Sequence, residues 1–161
     1  MFVRIPFAAL LGIFFTGLFF FVAIFAPLIA PYGYDEVVSQ GFWDPPTSEF
    51  LLGTDGIGRD LLSRMIYGLR TTIWIATLAT ILSFTLGSVL GFLAAVVGGW
   101  VDQALSRLVD LLMSIPSLIF ALVILSITPI TVAVLILVMG FLDSTRVYRL
   151  ARAVAVDITV M

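Results

Sequence analysis

Residues 111–142 read LLMSIPSLIFALVILSITPITVAVLILVMGFL, an uncharged run of 32 residues. How this run crosses a bilayer decides the fold. As a single helix it would be about 48 Å long at ~1.5 Å per residue, well beyond a hydrocarbon core of ~30 Å. Ser126-Ile127-Thr128-Pro129-Ile130-Thr131 sits at its middle. Proline disfavours helical backbone at the residue before it, and Ser and Thr favour turns. The run therefore reads as two spans joined by a tight turn.

Two further uncharged runs, 5–34 and 71–101, each exceed the ~20 residues that cross a membrane. The first is too long for the apolar core of a signal peptide and no A-x-A site follows it, so it reads as a retained span. Expected spans are 7–29, 71–97, 107–127 and 130–150, giving an all-α polytopic transmembrane helix bundle. Charge placement tests the count. With Arg4 inside, four spans also put Arg107, Arg146, Arg149 and Arg152 inside, against Arg59, Arg64 and Arg70 outside. Three spans would carry Arg146, Arg149 and Arg152 outside, against the positive-inside rule.

Composition agrees. Of 161 residues, 61% are hydrophobic and only 11% charged, against about 25% charged in a soluble domain. The mean hydropathy is +1.21. A soluble fold of this length cannot hide so much apolar surface, and a disordered chain would not carry it. The sequence has no Cys, His, Lys or Asn. That excludes disulfides and thiolate chemistry, the commonest general base, a phosphate-loop lysine and N-glycosylation. A net charge of −2 offers no basic field for nucleic acid. No nucleophile–base pair appears, so no enzymatic chemistry is expected of this chain.

The chain divides into an N-terminal part with the first span (1–30), an outer segment (31–70) and a bundle segment (71–161). Forty residues cannot build an independent core. Phe42 and Trp43 beside Pro45 and Pro46 suggest a stretch lying on the membrane interface, where Trp is favoured. Next comes Leu52-Gly-Thr-Asp-Gly-Ile-Gly-Arg-Asp60. Thr54 or Asp55 is expected to cap a helix. Gly56-Ile57-Gly58 lacks the phosphate-loop pattern and reads as a turn. Beyond it, Leu61, Leu62, Met65, Ile66 and Leu69 fall on one helical face. Asp60, Ser63, Arg64, Tyr67 and Arg70 fall on the other, with Asp60 and Arg64 an i, i+4 pair.

In the second span Ala79, Ser83, Gly87, Gly91, Ala95 and Gly99 recur every four residues. Such a small-residue face lets backbones approach, either within the chain or at a subunit contact. Asp102, Ser106, Asp110 and Ser114 form a polar stripe entering the third span, and Pro116 is expected to kink it. Arg146, Arg149 and Arg152 close the fourth span, where cations suit the helix dipole, headgroups or a cytoplasmic partner.

The run Leu52-Gly-Thr-Asp-Gly-Ile-Gly-Arg-Asp-Leu-Leu-Ser-Arg-Met-Ile-Tyr-Gly-Leu-Arg70 resembles the outer signature of binding-protein-dependent ABC transporter permeases. The branch it resembles is the "C" subunit of dipeptide, oligopeptide and nickel importers. Gly98-Gly-Trp-Val-Asp102, Arg107-Leu-Val-Asp110, Ile115-Pro116-Ser117 and Arg146-x-x-Arg149 follow in the family's order. The resemblance implies a permease subunit for peptides or a related solute such as nickel. It implies a second homologous permease, two cytoplasmic ATP-binding subunits and an extracytoplasmic solute-binding protein as partners. ATP and Mg would sit on the ATPases, with no cofactor or metal in this chain. It implies a bacterial inner membrane, with the N-terminus cytoplasmic. Asp55, Gly56, Arg59, Asp60 and Arg64 are then expected at an outer gate or docking region. Arg107, Arg146, Arg149 and Arg152 are expected at the inner face, and Ser83, Gly87, Gly91 and Ala95 on a packing face.

One departure stands out. The family's Glu-Ala-Ala…Gly coupling loop and its last two spans are not in this sequence, so the chain resembles a permease truncated before span five. Two other classes fit these residues less well. A self-contained four-span scaffold has no need of so long an outer signature. A proton-coupled carrier places ionisable groups at the bilayer midplane, and spans one and two have none there.

Overall fold

The computed structural model describes the backbone of residues 6–160 and the side chains of 6–156. Arg4, assigned to the inner side, lies outside the described residues. Five helices follow one another: α1 (Phe7–Ile29), α2 (Leu61–Val97), α3 (Gly99–Ser114), α4 (Ser117–Ile127) and α5 (Val132–Val160). The fold is all-α. Among the described residues, extended pairing is limited to isolated bridges at Val37–Arg59 and Thr54–Asp60. The chain forms two compact units, one ending at Trp74 and one beginning at Ile75.

In the first unit α1 occupies the expected span, and Phe14, Phe21 and Leu28 are among many exposed apolar side chains, as a lipid-facing helix requires. The amphipathic stretch leads into the second span, and α2 runs unbroken from Leu61 through it. Its faces are not sorted as in a soluble helix: Ser63 is fully buried, Met65 is 64% exposed, and Leu61, Leu62, Arg64, Ile66, Tyr67, Leu69 and Arg70 are half-buried. The polar side packs on the outer loop, where Ser63 Oγ accepts from the Tyr32 N–H at 3.1 Å.

In the second unit α5 lies on α2 at backbone distance. A Cβ at Gly87 would stand 2.6 Å from the Ser144 carbonyl oxygen, and one at Gly91 2.8 Å from that of Tyr148. A Cβ at Gly140 would stand 2.7 Å from Leu82. The contacts advance in the same sense along both helices, from 82 with 140 to 91 with 151 and 152. Helices α2 and α5 are therefore parallel, so the chain between them must travel back. Helices α3 and α4 make that return: α3 runs antiparallel to α5, with Asp102 beside Arg152 and Ser106 beside Tyr148. The turn foreseen at Ser126–Thr131 falls between α4 and α5.

The third span differs from expectation. Pro116 does not merely kink a helix. Helix ends at Ser114, restarts at Ser117, and the two halves meet at 85°. By length and apolarity α1 and α2 each suffice to cross a membrane, and α3 with α4 makes a third candidate as a broken pair. Helix α5 fails that test, because Asp143, Arg146 and Arg149 interrupt it. The fourth pass rests on its parallel seat against α2.

The four-residue stripe on α2 holds for Ala79, Ser83, Gly87 and Gly91, all buried, and then shifts. Ala94 is fully buried and Ala95 half-buried. At ~3.6 residues per turn a four-residue step drifts by about 40°, so the buried face must step back by three.

A glycine-to-alanine change in a helix ordinarily gains about 0.5–1 kcal/mol, whereas overpacking costs about 1–3 kcal/mol. Gly87→Ala meets backbone and Gly17→Ala meets nothing within 4 Å. The thermal midpoint of the detergent-solubilised chain is therefore expected to fall for G87A and to hold or rise for G17A. Equal midpoints would contradict the backbone contact.

Candidate functional site

The outer loop is built on two glycines. Gly53 and Gly58 both have φ +77°, and a Cβ there would fall 2.3 Å from the Asp44 carbonyl oxygen and 2.1 Å from that of Ser39. Only glycine tolerates both the backbone angle and the approach. The loop thus closes on residues 39–44. Asp44 N–H donates to Thr54 Oγ1 at 3.0 Å, Thr54 N–H donates back to the Asp44 carbonyl at 3.1 Å, and the Ser39 hydroxyl donates to the Asp44 carboxylate. Trp43 is held at φ 59° by this clamp, with its ring edge over Gly56.

Asp55 is the centre. Its Oδ1 accepts the N–H groups of Ile57 at 2.9 Å and Arg59 at 3.0 Å. Its Oδ2 accepts Arg59 Nε at 2.9 Å and the Arg64 guanidinium. Burial pushes this carboxyl up. The two backbone N–H groups and the two guanidinium groups outweigh that and hold it well below the usual carboxylate range. The expected Asp60–Arg64 pair is replaced: Arg64 turns to Asp55 and lies 5.7 Å from the centre of the Tyr34 ring. Asp60 is the cap that was expected of Thr54 or Asp55. It is buried, and its Oδ2 accepts the Ser63 N–H at 2.7 Å at the start of α2.

The structure therefore brings Asp55, Arg59 and Arg64 together and sets Asp60 and Gly56 beside them as fold elements. Two guanidinium groups share one carboxylate, and both keep part of their surface in solvent. Sequence reading missed Asp44 and Tyr34, and it gave Thr54 and Ser63 other roles. Nothing in their spacing marks the contacts, because the partners lie 10 to 31 residues away.

The second cluster joins α3 to α5. Arg152 makes a two-pronged bond to Asp102, with Nη2–Oδ2 at 2.6 Å. Arg149 reaches Asp110 at 2.5 Å. Between them Ser106 and the buried Tyr148 hydroxyl lie 3.0 Å apart. Tyr148 also packs with Ala94 and Val109, so one side chain joins α2, α3 and α5. The polar stripe of α3 thus faces Arg149 and Arg152 of α5, an intrachain pairing that the sequence reading did not make. Arg107 is exposed and has no ion pair among the described residues, and Arg146 makes only a 3.9 Å contact to Asp143. Among the described residues no group of three or more acids could hold a metal ion.

Two outcomes follow. A carboxyl depressed on folding stabilises the fold above its unfolded pKa, and that contribution is lost only as pH falls through the lower folded value. Pepsin resistance of the outer loop is therefore expected to survive acidification through ~3.9, the ordinary aspartate value. It should fail below that, while D55N is more easily cut throughout. At the α3–α5 seam, a double-mutant cycle on Asp102→Asn and Arg152→Gln is expected to give a coupling of about 1 kcal/mol, the upper end for part-exposed pairs. A null coupling would remove the pair from the seam.

Comparison with known proteins bears on both clusters. The profile described as "Binding-protein-dependent transport system inner membrane component" matches residues 87–159, which contain the α3–α5 seam. That described as "N-terminal TM domain of oligopeptide transport permease C" matches residues 8–46. The dipeptide transport system permease protein DppC of Haemophilus influenzae is 34% identical over 151 residues, 90% of this chain and 51% of that protein. The di/tripeptide transport system permease protein DppC of Pseudomonas aeruginosa is 38% identical over 125 residues, 74% of this chain and 41% of that protein. The oligopeptide transport system permease protein OppC of Bacillus subtilis is 28% identical over 144 residues, 88% and 47%. The chain spans about half the length of the curated relatives it matches. It belongs to the binding-protein-dependent permease family and corresponds to the N-terminal part of the dipeptide and oligopeptide C-subunit branch.

Proposed function

We propose that this chain is part of the membrane permease subunit of an ABC importer for short peptides. One observation carries the reading: nine-tenths of the chain aligns with a dipeptide permease, outer loop included. Peptide is favoured over nickel because the similar proteins are named for dipeptides, di/tripeptides and oligopeptides. The partners are a second homologous permease, two cytoplasmic ATP-binding subunits carrying ATP and Mg, and an extracytoplasmic solute-binding protein. The membrane is the bacterial inner membrane, with the N-terminus in the cytoplasm.

In this reading the two clusters have different tasks. The Asp55 node keeps the outer loop in one shape, and its partly exposed Arg59 and Arg64 meet the binding protein or gate the outer mouth. The α3–α5 seam ties α2, α3 and α5 into one body, with Arg107, Arg149 and Arg152 toward the cytoplasm. An importer needs such a body to switch as a unit between inward- and outward-facing states. A packing scaffold gains nothing from a clamped outer loop with two partly exposed guanidinium groups.

Deleting the gene in its source cell is expected to abolish uptake of a labelled dipeptide and to leave nickel uptake unchanged, with the cloned gene restoring it. Dipeptide uptake unaffected by the deletion would contradict the proposal.

A further inference from the structure

The break between α3 and α4 opens a cavity of about 320 Å³, within the ~300–1,000 Å³ of small-ligand sites. Met113, Pro116 and Ser117 line it from the break, and Asp143, Thr145 and Arg146 from α5. Its depth sets it apart from a packing defect. Gly140 meets Leu82 and Val147 meets Gly87, so Asp143 and Arg146, which lie between them, stand level with residues 82–87 of α2. The uncharged run of α2 is 71–97. Wherever a hydrocarbon core of ~20 residues is placed in that run, 82–87 fall inside it.

Charge is the second observation. Asp143 and Arg146 meet at only 3.9 Å and their side chains are 55% and 70% exposed, so both retain most of their bonding capacity. Ionised side chains at this depth face a bundle interior or an aqueous cavity, not lipid. The backbone agrees. The first turn of α4 has no side-chain cap, and irregular backbone inside a membrane is tolerated where it lines a cavity. A broken helix beside charged groups at mid-membrane is how transporters build a solute site.

We propose that this cavity is a subsite of the solute pathway that takes the charged ends of a short peptide. Asp143 accepts from the α-ammonium group and Arg146 donates to the α-carboxylate, each replacing a long contact by a charge-assisted hydrogen bond. The inference rests on the peptide-importer reading and adds the residues that hold the peptide in transit.

The absence of cysteine gives a direct test. Ser117→Cys places the chain's only thiol in the cavity wall and leaves the ion pair intact. Unsealed membranes holding the assembled importer are treated with a charged, water-soluble thiosulfonate. The thiol is expected to label, and a free dipeptide at roughly four times its apparent Kd is expected to slow labelling about fivefold. The same dipeptide, acetylated and amidated, should not protect, and adding Asp143→Asn should remove protection by the free one. Met113→Cys repeats the experiment if the first variant does not accumulate. A thiol that does not react, or one that reacts equally with and without free dipeptide, overturns the subsite. The two readings fail separately. Dipeptide uptake indifferent to gene deletion rejects the importer, whereas deletion-dependent uptake without thiol protection rejects the subsite alone.

Discussion

Close contact between two helix backbones, at Gly87 and Gly91 of α2 against Ser144 and Tyr148 of α5, governs the second unit. Lipid supplies no hydrophobic force to join helices, so contact must come from shape. Glycine removes the side chain that would hold the axes apart. Once α5 is seated parallel to α2, the rest is constrained. The intervening chain has to return, and it does so as α3 and α4. Tyr148 then falls where it can reach Ser106 on α3 and pack against Ala94 on α2. Asp102 and Asp110 come opposite Arg152 and Arg149.

The outer loop solves a different problem. Without a core of its own, it is ordered by polar bonds converging on few atoms. Asp55 fills both oxygens with backbone and guanidinium donors. Asp44 and Thr54 clamp the other side, and Asp60 ends the loop by starting α2. Positive φ at Gly53 and Gly58 makes these approaches possible. Such a loop holds its shape without a hydrophobic core.

Much of this was legible in the residues, and the failures have physical causes. Uncharged length gave α1 and the apolar part of α2. Ser126–Thr131 gave the turn before α5, because Pro129 and its hydroxyl neighbours act locally. Pro116 was legible as a disturbance but not as a break. A missing N–H and a steric clash do not say whether the helix resumes on the same axis. Amphipathicity of 60–70 near a bilayer does not reveal which residues meet protein. Ser63 is buried and Met65 exposed, while most of both faces is half-buried. Arg64 chose Asp55 over Asp60 because Asp60 was occupied as a cap, and sequence spacing cannot rank those options. The depth of Asp143 and Arg146 was hidden for a similar reason. Only the register against Gly87 shows that they lie level with the apolar run of α2, not past the end of a span.

The same register gives the bundle its asymmetry. One face of α5 is closed by α2 and α3, and the other carries ionisable groups beside a broken helix. All of this depends on α5 running parallel to α2, and the chain's lack of cysteine makes that direction measurable. Paired cysteines at Leu82 with Gly140 and at Gly91 with Ala151 are predicted to form disulfides on mild oxidation in the membrane. Crosslinking of Leu82 with Ala151 in their place would mean an antiparallel pair, and would contradict the account.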